Sequence, residues 1–160
     1  MLVEITGRAS AIGEIARTTG VNNGSRQISA TNPRFRIADL YLSFALGTTV
    51  NMVGQVSGWR SGSVFDGEHD VDMFVDAPGM QHFLTGVGLA TYAAQDGDSG
   101  GPVLHLISGD DVKLRGIHQG SILDNGTTYR VLSPLQNVHG DILNSTGVSP
   151  ISDIEWRWGF

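Results

Sequence analysis

No cysteine occurs among the 160 residues, which excludes disulfide staples and thiolate metal sites at once. Stability must then come from a buried core, and a chain of this length is long enough to build one. Basic residues are also scarce: ten Lys and Arg stand against sixteen Asp and Glu, a formal net charge of -6. With no basic cluster to offset that balance, neither nucleic acid nor an anionic membrane is the expected partner. Long apolar runs are missing too. No stretch reaches the ~20 residues that span a bilayer, and Met1-Leu2-Val3-Glu4-Ile5 lacks the basic start and apolar run of a secretory leader. Either a leader has been removed or the chain is a segment of something longer. Secretion is compatible with the absence of cysteine but is not demonstrated by it.

Glycine is abundant, at 22 residues, while hydrophobic residues make up 40% and charged residues only 16%. That balance predicts a turn-rich, mostly β globule. Short strands are expected around 2–6 and 25–30, and Arg34 to Leu46 alternates as a strand through Phe35, Ile37, Leu40, Leu42, Phe44 and Leu46. Val50 to Val64 reads as a hairpin, and Met73-Phe74-Val75 and the run from Phe83 to Tyr92 read as further strands. Residues 102–107 and 112–118 form another hairpin through Gly109-Asp110-Asp111, followed by a strand over 127–132. Ser133-Pro134 then supplies an N-cap and a first-turn proline for a short helix with Leu135, Val138, Ile142 and Leu143 on one stripe. The tail, Ile154 to Phe160, is aromatic-rich. Asp66, Glu68, Asp70 and Asp72 alternate along one segment and have the oxygen chemistry of a calcium site. They do not follow an EF-hand pattern, so a solvated acidic hairpin tip is expected and no metal or cofactor is assigned. Sequons at Asn23, Asn125 and Asn144 carry no glycan prediction, since two of them are Asn-Gly turns.

The chemistry concentrates in Asp96-Gly97-Asp98-Ser99-Gly100-Gly101-Pro102. A serine hydroxyl becomes a nucleophile only when a base takes its proton and nearby donors receive the oxyanion. Gly97 permits a backbone turned so that its N–H and that of Ser99 face one point. Asp98 is expected to be buried and hydrogen-bonded, holding the loop, because a lone buried carboxylate is unfavourable.

Gly97-Asp98-Ser99-Gly100-Gly101-Pro102 resembles the nucleophile motif of trypsin/chymotrypsin-like serine peptidases. The cysteine-free composition is similar to microbial or viral members rather than the disulfide-rich digestive ones. Val53-Gly54-Gln55-Val56-Ser57-Gly58-Trp59 resembles the opening hairpin of the family's second barrel, and Arg17-Thr18-Thr19-Gly20 echoes part of it. Gly116-Ile117-His118-Gln119-Gly120 resembles the strand that pairs with substrate backbone beside the specificity pocket. Asp39-Leu40-Tyr41-Leu42-Ser43-Phe44 resembles the segment carrying the aspartate that orients the catalytic histidine. The resemblance covers about residues 35–145. It implies an all-β fold of chymotrypsin-like Greek-key barrels with the first barrel incomplete. The division is residues 1–46 as a remnant of that barrel, 47–147 as the second, and 148–160 as the tail.

The resemblance also implies an extracellular serine endopeptidase acting on a polypeptide substrate. Ser99 would be the nucleophile, Asp39 the orienting carboxylate, and the Gly97 and Ser99 N–H groups the oxyanion hole. Ala93 and Ala94, with His118 and Gly120, would form the specificity pocket. Neither alanine bears a charge, so a basic substrate side chain is disfavoured. Apolar and acidic choices stay open, because His118 resembles the carboxylate-binding histidine of glutamyl endopeptidases. One part is missing. All five histidines, His69, His82, His105, His118 and His139, follow Asp39, whereas the family's general base precedes it. Three explanations remain: the base lies on an upstream polypeptide, the chain is a catalytically silent binding or assembly module, or one of the five reaches Ser99. The first fits an intact serine motif best.

Overall fold

Eight strands and one helix account for most of the chain in the computed structural model, which describes residues 13–40, 43–74 and 81–146. The strands are β1 (Glu14–Ala16), β2 (Arg34–Leu40), β3 (Thr49–Gly54), β4 (Gly58–Phe74), β5 (Gln81–Ala90), β6 (Pro102–Ser108), β7 (Asp111–Asp124) and β8 (Thr127–Pro134), followed by α1 (Leu135–Thr146). They hydrogen-bond in the order β1-β2-β7-β6-β3-β4-β5-β8, and β7 also pairs with β8. That second pairing closes β3 to β8 into a six-stranded barrel, although β4 beyond Val64, β5 before Gly88 and β7 beyond His118 each keep one side without a strand partner among the described residues.

β7 is the seam. One of its edges carries β6 along residues 111–117. The other carries two partners in succession: parallel β2 at Asp111–Leu114, then antiparallel β8 from Gly116 to Asp124. Residues 14–40 are therefore joined to the barrel through β2. Arg34 and Arg36 of β2 face solvent and Phe35 and Ile37 face inward, the period of two expected for a strand with one covered face.

The barrel interior holds Val50, Met52, Val64, Ala90, Tyr92, Val103 and Leu132, closed at one end by Phe44. A second cluster lies between β2 and the barrel wall, where Phe35, Ile37, Leu104 and Val112 pack with Trp59 and Val53. Arg17 ties that layer down. Its guanidinium sits 5.0 Å from the Phe35 ring and 4.9 Å from the Trp59 ring, and it also pairs with Asp110. Phe35 and Trp59 meet edge to face at 5.0 Å.

Four sequence expectations change in detail. β2 ends at Leu40 rather than Leu46, and Phe44 instead turns into the barrel core. Around 25–30 there is only a single bridge, Thr18 to Ile28. Met73-Phe74 is the end of the 17-residue β4, not a separate strand. Ser133 does not cap the helix: pairing of Ile117 with Ser133 and Gly116 with Pro134 carries β8 up to Leu135. The strand expected at 2–6, the tail at 148–160 and Val75 lie outside the described residues.

Gly116 sits where β6, β7 and β8 converge, and a Cβ there would lie 2.3 Å from the Ser133 carbonyl oxygen. Gly116→Ala is therefore expected to destabilise the protein by about 1–3 kcal/mol, read from the midpoint of urea unfolding. An unchanged midpoint would show that the seam yields.

Candidate active site

The loop around Ser99 is built by its own backbone and clamped to β7. Asp98 N–H donates to the Gln95 carbonyl at 3.0 Å and Gly101 N–H to the Asp98 carbonyl at 2.9 Å, closing two tight turns around Ser99. Gly100 N–H donates to the His118 carbonyl at 2.8 Å, and His118 N–H donates back to Gly101 at 2.9 Å. The turns need glycine at two places, since Gly97 and Gly100 have φ of 94° and 87°. Among the described residues, the N–H groups of Gly97 and Ser99 are not among the loop's internal donors. Both residues are exposed.

Asp98 is the loop's anchor. It is 1% exposed, and its carboxylate accepts N–H bonds from Val56 at 2.8 Å, Ser57 at 3.0 Å and Gln95 at 2.9 Å. Burial pushes its pKa up, but the donors from Ser57, Gln95 and Val56 outweigh this and hold it below the usual carboxylate range. Gly54 makes room: a Cβ there would lie 2.1 Å from Asp98 Oδ1. The carboxylate thus fastens the loop to the β3–β4 turn.

Ser99 Oγ donates to the Gln119 carbonyl at 3.0 Å. That carbonyl is available because Gln119 lies in a β-bulge, skipped in the β7–β8 register between His118 and Gly120. The Gln119 side chain donates to Ser133 Oγ at 3.0 Å.

His118 is buried, and its Nδ1 lies 3.1 Å from the Tyr92 hydroxyl while the Val131 backbone also bonds the ring. Burial lowers its pKa, with the Asp98 charge opposing, so the ring is neutral at pH 7. The same burial raises the Tyr92 phenol. Ala94 is buried in the barrel core next to Tyr92, whereas Ala93 is exposed and Gly120 half-buried.

Through the bonds of Gly100 and Gly101 to His118 and of Ser99 to Gln119, the structure brings the loop that carries Gly97 and Ser99 against the stretch of β7 that carries His118 and Gly120. Asp39 stands apart. On β2, its exposed carboxylate accepts the Leu40 N–H and pairs with Lys113 Nζ at 2.8 Å, and the Lys113 bond holds its pKa down. Among the described residues no histidine ring bonds Ser99 or Asp39. His69 Nδ1 pairs with Asp66 at 3.1 Å, and His105 Nδ1 lies 2.9 Å from the Thr49 carbonyl. Of the acidic run, Asp66 accepts the Glu68 N–H and Asp70 the Gly86 N–H, so these carboxylates stabilise the bulged β4–β5 ribbon. The sequence marked neither the Gln119 carbonyl, because a bulge has no composition signal, nor the Val56 and Ser57 donors to Asp98 and the Tyr92 partner of His118, which come from distant segments.

Two outcomes follow from the buried groups. Asp98→Asn should lower stability by about 2–3 kcal/mol. Because the native pKa is depressed, that difference should be complete above about pH 4 and shrink as pH falls further. For His118, whose native pKa lies below 6.5, the unfolded state binds the extra proton. Stability should therefore decline as pH drops below about 6.5, and His118→Gln should remove that part of the slope in thermal unfolding between pH 5 and 7.

The fold is shared with solved structures. Thermobifida fusca protease A superposes with a TM-score of 0.53 at 21% identity over 77% of this chain and 58% of that one. Cellulomonas bogoriensis chymotrypsin superposes with a TM-score of 0.51 at 20% identity, over 74% and 58%. The likeness establishes a chymotrypsin-like serine peptidase fold, and the chain spans 58% of the length of these two proteins. No protein-family model matches the chain, and no curated protein does. No helix among the described residues is long and apolar enough to cross a membrane.

Proposed function

We propose that this chain is the nucleophile-bearing part of a serine endopeptidase that works outside the cell and takes its general base from an upstream polypeptide. The observation that carries the reading is the clamped loop. It presents an exposed Ser99 hydroxyl beside the N–H groups of Gly97 and Ser99, neither used inside the loop. In the proposed reaction Ser99 Oγ attacks the scissile carbonyl as the base removes its proton, and the carbonyl oxygen, now negative, takes the two N–H bonds. The amine leaves with that proton, and water repeats the sequence on the acyl-enzyme. Asp39 orients the incoming imidazole only by exchanging it for the Lys113 ammonium that now holds its carboxylate.

The edge of β7 beyond His118 supports substrate pairing, since β6 and the loop before it bond β7 only up to that residue while β7 runs on to Asp124. Among pocket residues, Ala93 and Ala94 are uncharged. His118 is buried with its Nδ1 against the Tyr92 hydroxyl, which disfavours the charged ring that a substrate carboxylate would need. This supports an apolar rather than an acidic residue before the scissile bond.

A second reading, a silent binding or assembly module, is favoured by one observation: the Ser99 hydroxyl is donated to the Gln119 carbonyl rather than to a base. A serine-directed fluorophosphonate separates the two. The expected result is no adduct on the chain alone and an adduct on Ser99 once the upstream polypeptide is present, abolished by Ser99→Ala. Modification of the isolated chain would place the base within it. Absence of an adduct in both preparations would leave the silent module.

A further inference from the structure

Beside the nucleophile loop lies a cleft of about 430 Å³, between residues 14–28 on one wall and the end of β3 with Pro102 on the other. Its walls are mostly apolar, with Ile15, Ile28, Val53 and Pro102 among the lining residues. Two charged groups stand at its rim, Glu14 and Arg26. Glu14 is neutralised by Arg34 at 2.5 Å. Arg26 is exposed and has no hydrogen-bond or ion-pair partner among the described residues. The cleft therefore combines an apolar lining, half-open at Ile28, which is 46% exposed, with one uncompensated positive charge.

Its position relative to Ser99 follows from the sheet order. β6 lies between β7 and β3. The free edge of β7 begins where Ser99 bonds Gln119, on one flank of the nucleophile loop. The cleft lies on the other flank, where the loop touches β3: a Cβ at Gly101 would lie 2.9 Å from the Val53 carbonyl. Pro102 follows Ser99 by three residues, so its Cα lies within ~11 Å of the serine's. An extended chain laid along β7 and crossing Ser99 arrives at the cleft within about three residues. β1, which lines it, is the terminal strand of the sheet order and has one edge unpaired among the described strands.

We propose that this cleft binds the leaving-side half of the polypeptide substrate, taking an apolar side chain between Ile28 and Val53 with an acidic residue next to it on Arg26. The assignment to the leaving side rests on the peptidase reading above; the recognition of an apolar-acidic pair rests on the cleft alone. Ile28 and Arg26 are then specificity-determining residues. An alkyl side chain gains by leaving water for the Ile15, Ile28 and Val53 surface. The rim charge adds a modest preference, because an exposed ion pair is screened by solvent.

The test uses the full chain with Ser99→Ala, so that nothing is turned over, and titrates three acetylated, amidated tripeptides while backbone amides are followed by NMR. The peptides are glycine-leucine-aspartate, glycine-leucine-lysine and glycine-glycine-aspartate. The aspartate peptide with leucine should bind about two- to fivefold tighter than its lysine counterpart, shifting the amides of Ile28 and Gln55. Arg26→Glu should reverse that order. Ile28→Ser should weaken both leucine peptides by about three- to tenfold and leave the glycine peptide unchanged; both positions are exposed, so neither variant is expected to unfold. Equal affinity for the two leucine peptides, or shifts confined to residues 119–124, would overturn the proposal. The fluorophosphonate result keeps the two ideas apart. A Ser99 that reacts while the peptides show no preference sinks the cleft alone. A Ser99 that never reacts, with the preference intact, sinks the peptidase reading and leaves the cleft as a peptide site.

Discussion

A single buried carboxylate holds the site in shape. Asp98 is almost wholly removed from water, where an unpaired charge is strongly unfavourable. It is tolerated because the Val56, Ser57 and Gln95 N–H groups converge on it. Those donors come from two separate stretches, the β3–β4 turn and the loop preceding Ser99, so satisfying the charge fixes one relative to the other. Gly54 must be glycine for the approach to be possible. Everything the loop presents, including the direction of the Gly97 and Ser99 N–H groups, depends on that fixation.

β7 plays the complementary role. It closes the barrel with β8, supports β6, receives β2, and binds the nucleophile loop from its backbone at His118. The bulge at Gln119 removes one carbonyl from the ladder and offers it to Ser99. Among the described residues the hydroxyl therefore has a carbonyl acceptor and no histidine partner. A carbonyl accepts a hydrogen bond but takes up no proton near neutral pH, so this contact satisfies the serine and does not activate it.

The interior of the barrel explains the state of His118. The ring lies against Tyr92 at 5.6 Å between centroids, with its Nδ1 facing the Tyr92 hydroxyl and the Val131 backbone also bonding the ring. In that setting the neutral imidazole is favoured over the charged one. A residue that the family resemblance links to a substrate carboxylate is here a satisfied core group that fills space between β5, β7 and β8. The Ala93 and Ala94 pair divides similarly, one exposed and one in the core.

By itself the sequence determined the all-β character, through 22 glycines, alternating apolar segments and Asn-Gly or Gly-Asp turns. It also marked the loop around Ser99, because Gly97-Asp98-Ser99-Gly100-Gly101-Pro102 needs only local backbone freedom and one buried acid to form. These are short-range properties, written in neighbouring residues. Tertiary structure decided what depends on distant partners. It ended β2 at Leu40 and sent Phe44 into the core. It gave Asp39 to Lys113, buried His118, bulged β7 at Gln119, and opened the cleft beside Arg26. The physical reason is that charge pairing, desolvation and strand register are settled by residues brought together from tens of positions apart, and a linear chain does not display those neighbours.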